Sequence, residues 1–133
     1  MDKRSVIRMI QSHLEEELSE RRAADSISKS PSPELQELER AALMYRFLPL
    51  RDFTEEDVVA PASLVELELS GRRLWVLVVP NHGGLVTSYE GCPVQVVTPH
   101  SPLGEAMLGK KSGDSFRLET SSGARLYRIV RVL

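Results

Sequence analysis

The spacing of apolar residues changes near Pro61, and this change constrains the fold more than any other feature of the chain. Before Pro61, apolar residues recur every three or four positions, which is the period of an amphipathic helix. Within residues 65–69, aliphatic residues alternate with glutamates, which is the period of a half-buried strand. The sequence therefore predicts an α+β protein whose helices precede its sheet.

Two helices are predicted before Pro61, and each has one narrow apolar stripe. The stripes, within residues 5–24 and 33–48, consist of Ile7, Ile10, Leu14 and Leu18, and of Leu35, Leu38, Ala42 and Tyr45. A narrow stripe is typical of a helix that packs against a single partner. Because the polar loop between the helices is short, residues 1–48 are predicted to form an antiparallel helical hairpin, a short coiled coil. The stripe also permits pairing with a second copy, so we expect a monomer or a weak homodimer.

The rest of the chain is predicted to contain a linker and a sheet domain. Residues 49–61 include three consecutive acids and are interpreted as an exposed linker. Residues 62–133 contain five or six short runs with strand character, separated by turn signals such as Ser70-Gly71. We expect residues 62–133 to form a mostly antiparallel sheet with one short helix.

The charge balance argues against a protein that binds nucleic acid through its phosphates. The net charge is −2, whereas such proteins are usually basic. Residues 1–57 hold 13 acidic and 9 basic side chains, and residues 58–133 hold 6 and 8, so an acidic part precedes a mildly basic one. We therefore expect a protein partner and no sequence-specific contact with nucleic acid.

No feature of the sequence predicts secretion or a membrane span. No apolar run approaches the roughly 20 residues that cross a bilayer. The N-terminal residues lack the apolar core of a secretory signal, and the single cysteine, Cys92, excludes an intramolecular disulfide. We expect a cytoplasmic protein with no membrane partner.

No set of residues predicts catalysis or metal binding. His13, His82 and His100 lie on three separate predicted elements, without the spacing or companion carboxylates of a metal site. Cys92 has no base nearby in sequence and is interpreted as a small buried residue. We therefore expect no catalytic residue, no metal, no cofactor and no enzymatic activity.

The most specific order of local parts lies in residues 94–120. A β-branched run leads to Ser101-Pro102, which has the pattern of an N-cap followed by the first helical position. A short helix, a polar turn over residues 110–114 and a further strand then follow. The apolar face of this helix consists of Leu103, Ala106, Met107 and Leu108, and Gly109 ends it.

This order of parts resembles the C-terminal domain of the GreA/GreB transcription factors. The resemblance is carried by residues 96–110, by Gly113-Asp114 and by residues 127–130, and it extends over residues ~58–133. It implies an FKBP-like domain that binds bacterial RNA polymerase at the rim of the secondary channel. The partner contacts that it implies are His100, Ser101, Pro102, Leu103 and Met107.

The tip of the predicted hairpin differs from the cleavage-stimulating members of this family. In those proteins, two tip carboxylates one helical turn apart help to hold a second Mg²⁺. The acids of this tip are Asp25 and Glu34, which lie nine positions apart. The short hairpin resembles a reduced, Rnk-like coiled coil. We therefore expect a non-cleaving regulator of transcription.

Two alternatives to this function stay open. One is a transcript-cleavage factor that uses Asp25 and Glu34. The other is an FKBP-like peptidyl-prolyl isomerase or chaperone, which the fold analogy alone implies. The aromatic content of 5% is low for the aromatic-lined pocket of such an isomerase.

Overall fold

The structure is a computed structural model that describes residues 1–24 and 32–133. Its helices are α1 (Lys3–Ala24), α2 (Pro33–Arg46) and α3 (Pro102–Met107). Its strands are β1 (Leu64–Leu69), β2 (Arg72–Val78), β3 (Val86–Tyr89), β4 (Cys92–Val97), β5 (Ser115–Thr120) and β6 (Gly123–Val132). The predicted α+β fold class is confirmed. Within the described ranges, α1 and the shorter helices are too polar or too short to cross a bilayer.

The chain divides into two units, Met1–Leu48 and Pro49–Leu133. In the first unit, α1 and α2 run antiparallel, as predicted. Gln11 in the first half of α1 donates from Nε2 to the carbonyl of Tyr45 near the end of α2, at 3.0 Å. Arg22 near the end of α1 lies 3.6 Å from Glu39 in the middle of α2, measured from Nη2 to Oε1. The apolar residues that pack between the helices are Leu18, Leu35, Leu38 and Ala42.

The start of α2 has the predicted cap. The backbone N–H of Leu35 donates to Ser32 Oγ at 3.2 Å, and Pro33 occupies the first turn, where its missing N–H costs nothing. Glu34 is exposed in that turn. Asp25, the other acid predicted at the hairpin tip, lies outside the described residues.

Tyr45 on α2 carries a buried hydroxyl group that has no hydrogen-bond partner within the described part of the chain. Its side chain is 4% exposed, and burial raises the pKa of Tyr45 to about 12. Since a buried unsatisfied polar group costs about 1–3 kcal/mol, we expect Tyr45→Phe to raise the free energy of unfolding by about 1 kcal/mol at pH 7.

The pH dependence provides a second measurement of Tyr45. The folded-state pKa of about 12 exceeds the ordinary value of 10, so the contribution of the Tyr45 phenol to stability is fully present below pH 10. This contribution is lost as the pH rises from 10 towards 12, because the unfolded chain releases the phenolic proton first. Urea unfolding at pH 7, 10 and 11.5 should show a smaller decline in Tyr45→Phe, whereas equal declines would contradict the assignment.

The second unit is built on one six-stranded sheet with the strand order β3-β4-β2-β1-β6-β5. The pair β2–β4 is parallel and the other four neighbouring pairs are antiparallel, which confirms the mostly antiparallel arrangement. The register between β1 and β6 shifts at Glu66 and Leu67, where a β-bulge interrupts the pairing.

All three hairpin turns of the sheet lie at the same end. Strands β2, β4 and β6 each follow a hairpin turn and run in one direction, because β4 is parallel to β2 and β6 is antiparallel to β1. The turns Ser70-Gly71 and Glu90-Gly91 each have φ of 51° and 78°, the left-handed conformation that two-residue hairpins favour. The loops after β2 and β4 therefore lie at the opposite end.

One face of the sheet packs against α3 to form a core. Val65 and Leu67 of β1 lie in this core with Met107 of α3, and the rings of Phe116 and Tyr127 stack at 5.2 Å. Residues 49–61 contain no helix or strand, yet they contribute Phe53 and Val59 to the same core. The boundaries at 48/49 and 61/62 as domain limits stay a prediction.

Glu66 differs from the expectation of a solvent-facing residue on the polar side of β1. It is only 6% exposed, because two arginines of the neighbouring strands cover it. Arg73 Nη1 and Arg131 Nε lie 3.4 Å and 3.2 Å from the same atom, Glu66 Oε1. The guanidinium group of Arg131 also lies over the ring of Trp75, 5.2 Å from its centre. Alternating sequence patterns do not reveal this kind of coverage, which depends on strand register.

Candidate functional site

Four of the five predicted contact residues lie in residues 98–104, which run from the end of β4 through the first turn of α3 and are called the Ser-Pro loop from here on, and the fifth, Met107, is the last residue of α3. Ser101 is the N-cap of α3, with φ −74° and ψ 154°, and the Gly104 N–H donates to Ser101 Oγ at 3.2 Å. Ser101 Oγ in turn donates to the carbonyl oxygen of Thr98 at 2.8 Å, and the Ser101 N–H donates to the same oxygen at 3.1 Å. The predicted capping role of Ser101 and Pro102 is thereby confirmed.

The five predicted contact residues fall into two groups that differ in burial. His100 and Pro102 are exposed and Ser101 is half-buried, so these three form a continuous stretch of surface. Leu103 and Met107 are 8% and 0% exposed and belong to the core, since a spacing of four places them on the same side of α3. These two side chains pack α3 against the sheet. Partner binding by any of the five stays a prediction.

Thr98 fixes the shape of this surface by close contact with two glycines. A Cβ atom on Gly104 would lie 1.9 Å from the Thr98 carbonyl oxygen, and one on Gly83 would lie 2.9 Å from Thr98 Cγ2. Real Cβ atoms do not approach other atoms this closely, so only glycine fits at Gly104 without movement of the backbone. Gly83 belongs to residues 80–84, called the Gly-Gly loop from here on. The two loops therefore pack together at one end of the sheet.

A third segment joins the end of α3. The Val59 N–H donates to the Lys110 carbonyl at 2.7 Å, and the Gly109 N–H donates to the Val59 carbonyl at 3.1 Å. Before it, the Thr54 N–H donates to Asp57 Oδ2 at 2.8 Å, and this bond lowers the pKa of Asp57. These bonds order the segment that the sequence indicates only as an acidic linker, and Val58 and Leu108 are exposed beside them.

The described residues contain no group of three or more His, Cys, Asp or Glu that could hold a metal ion. Sequence reasoning identified the Ser-Pro loop but missed the Gly-Gly loop and Thr98 as parts of the same site. One signal was present in the sequence, namely two adjacent glycines soon after a buried strand. The structure adds a second, because His82 has φ +59°, a conformation that few non-glycine residues adopt.

Comparison with known proteins places this site within a family. The family described as "Transcription elongation factor, GreA/GreB, C-term" matches residues 54–133, which is more than half of the chain and includes both loops. The chain belongs to the GreA/GreB family. This membership confirms the resemblance on which the contact residues were selected.

One relative within the GreA/GreB family is the transcription inhibitor protein Gfh1 of Thermus thermophilus. It is 38% identical over 79 residues, which cover 57% of this chain and 47% of Gfh1. The Gfh1 protein of a second strain of the same species matches to the same extent. The chain thus spans about half the length of the curated relatives that it matches.

Solved structures that are similar to this chain include members of the same family. The crystal structure of Thermus aquaticus Gfh1 is 23% identical, with coverage of 96% of this chain and 92% of that chain and a TM-score of 0.48. A GreA/GreB factor from Nitrosomonas europaea is 19% identical, with coverage of 88% and 91% and a TM-score of 0.44.

Proposed function

We propose that this chain is a regulator of transcription that binds RNA polymerase at the rim of the secondary channel through the Ser-Pro loop, and that it does not stimulate transcript cleavage. The observation that carries the proposal is the presentation of His100, Ser101 and Pro102 on a capped, tightly packed loop within the region matched by the GreA/GreB family. A preformed loop reduces the conformational entropy that is lost on binding.

The mode of regulation that we propose is occupancy. The chain would block competing proteins or the passage of nucleotides while it is bound. Kinship with a protein named as a transcription inhibitor favours this mode over stimulation. The absence of cleavage is proposed because Asp25 and Glu34 are nine positions apart, whereas a shared Mg²⁺ needs oxygen ligands that converge on it.

The decisive experiment measures binding to purified bacterial core RNA polymerase by Pro102→Glu and the wild type. Pro102 is exposed at the first helical position, where glutamate is well tolerated, so the variant should fold normally. We expect binding to weaken by at least about tenfold, because a new charge at the centre of an interface must lose its water without gaining a partner. Leu103 is unsuitable for this test, since a charge at that buried position would unfold the domain.

Ser121→Glu is the matched control, because Ser121 is exposed in a hairpin turn at the opposite end of the sheet. Ser121→Glu should bind core polymerase as the wild type does. A protein known to bind the secondary channel should compete with the wild type and with Ser121→Glu alike. Failure of the wild type to bind core polymerase at low salt would refute the proposal. The same complexes, prepared in a backtracked state with Mg²⁺, should show RNA of unchanged length, and shortened RNA would establish the cleavage alternative.

A further inference from the structure

The sheet domain has an unusual distribution of charge. Charged residues make up 27% of the chain, but Glu90 is the only one among the 31 residues from 74 to 104. This region contains most of β2, all of β3 and β4, the Gly-Gly loop and the Ser-Pro loop up to its end. The remaining strands have charged surfaces, as the pairs Glu68–Arg128 and Arg117–Glu119 show.

Burial explains only part of this absence of charge. The last four residues of β2 and three of the six residues of β4 are buried, and charged residues are rare at such positions of central strands. The edge strand β3 and the two loops are different, because Asn81, Gly84, Val86, Ser88 and Pro102 are all exposed. An exposed edge strand normally carries charges that prevent association, and the other edge strand, β5, does carry them. The fold of the sheet domain by itself therefore does not explain why this exposed surface is depleted of charged residues.

The exposed part of this region is continuous with the Ser-Pro loop. Gly83 packs on Thr98, whose carbonyl oxygen accepts both hydrogen bonds from Ser101. The Gly84 N–H donates to the Val96 carbonyl at 2.8 Å, and the Val96 N–H donates to the Leu85 carbonyl at 2.8 Å. The Gly-Gly loop thus contacts the Ser-Pro loop through Gly83 and Thr98, and along the chain it continues into the edge strand β3.

We propose that the partner-binding surface extends from the Ser-Pro loop across the Gly-Gly loop to β3, and that its occupant is a patch of low charge on the polymerase. This inference rests on the proposed function and specifies the chemistry of the same site. Depletion of charge is the compositional mark of the core of a protein–protein interface. A nucleic-acid occupant would instead require cationic side chains that neutralise phosphates, and residues 74–104 contain no lysine or arginine.

Val86 and Leu126 provide a matched pair of variants for the test. Both are aliphatic strand residues, exposed to 70% and 68%, but Leu126 lies on β6 in the charged part of the sheet. Binding to core polymerase is measured for Val86→Glu, Val86→Lys and Leu126→Glu, with circular dichroism to verify folding. We expect both Val86 variants to bind about tenfold more weakly than the wild type, and Leu126→Glu to bind within about twofold of it.

Asn81→Asp keeps the test decisive if a Val86 variant fails to fold. It adds one charge to the Gly-Gly loop with almost no change in volume, and we expect binding to weaken by about fivefold. Wild-type affinity in folded Val86→Glu and Asn81→Asp, together with loss of binding in Pro102→Glu, would overturn the extension and leave the proposed function standing. Tighter binding by Val86→Lys would reveal an acidic occupant and overturn the low-charge patch. Absence of binding by the wild type would overturn both proposals.

Discussion

Gly104→Ala is expected to lower the free energy of unfolding by about 2–3 kcal/mol, although alanine normally stabilises a helix by about 0.5–1 kcal/mol over glycine. The reason is a collision with backbone rather than with a movable side chain. The new Cβ would lie 1.9 Å from the Thr98 carbonyl oxygen and 2.8 Å from the Thr98 carbonyl carbon. To remove the collision, α3 must move away from Thr98, and Ser101 then loses its capping bond.

Gly83→Ala provides a graded comparison for Gly104→Ala. Its new Cβ would first meet Thr98 Cγ2, a methyl group, at 2.9 Å and would meet the backbone nitrogen of Thr98 only at 3.1 Å. We expect about 1 kcal/mol of destabilisation there, because a methyl group yields more easily than a carbonyl group. Urea unfolding monitored by the single tryptophan, Trp75, measures both variants. Wild-type or higher stability in Gly104→Ala would show that the close approach to Thr98 does not exist.

Removal of both arginines that cover Glu66 is expected to destabilise the protein far more than removal of Glu66. In Arg73→Met/Arg131→Met, a carboxylate that is almost fully buried loses both of its ion pairs. We expect a loss of about 3 kcal/mol, the lower end for a broken buried pair, because water gains access once the arginines are shortened. In Glu66→Met the two half-exposed guanidinium groups stay hydrated, so the loss should be about 1 kcal/mol or less.

The triple variant, with methionine at all three positions, distinguishes a charge effect from a packing effect. If the cost of the double variant comes from an uncompensated charge, Glu66→Met in that background should restore stability to within about 1 kcal/mol of the wild type. If the lost contact of Arg131 with Trp75 dominates, the triple variant should remain as unstable as the double variant. Thermal and urea unfolding at two salt concentrations measure the three variants.

The fold could be predicted largely because local periodicity and long-range packing agree in this chain. The apolar stripes of the two helices predict the hairpin, and Leu18 of the first stripe packs against Leu35 and Ala42 of the second in the structure. Two-residue turns such as Ser70-Gly71 specify the strand pairs on either side, so the antiparallel hairpins follow from local chemistry alone.

The site could be predicted only in part, because its construction depends on contacts between distant segments. The N-cap pattern predicts Ser101, but the packing of Gly83 on Thr98 follows from the parallel pairing of β2 and β4, which has no local signal. The sequence presented Leu103 and Met107 as apolar residues of a short helix. Which side of so short a helix faces the sheet is decided by tertiary packing.

The hairpin turns all lie at one end of the sheet, and this determines where additional segments can be inserted into the domain. Exposed loop tips are the sites at which a folded domain best tolerates inserted segments. Residues inserted at positions 70–71 or 121–122 would project from the end opposite to the Ser-Pro and Gly-Gly loops. That end is therefore the natural place for attached modules, fluorescent labels or affinity tags, which would leave the proposed binding end unobstructed.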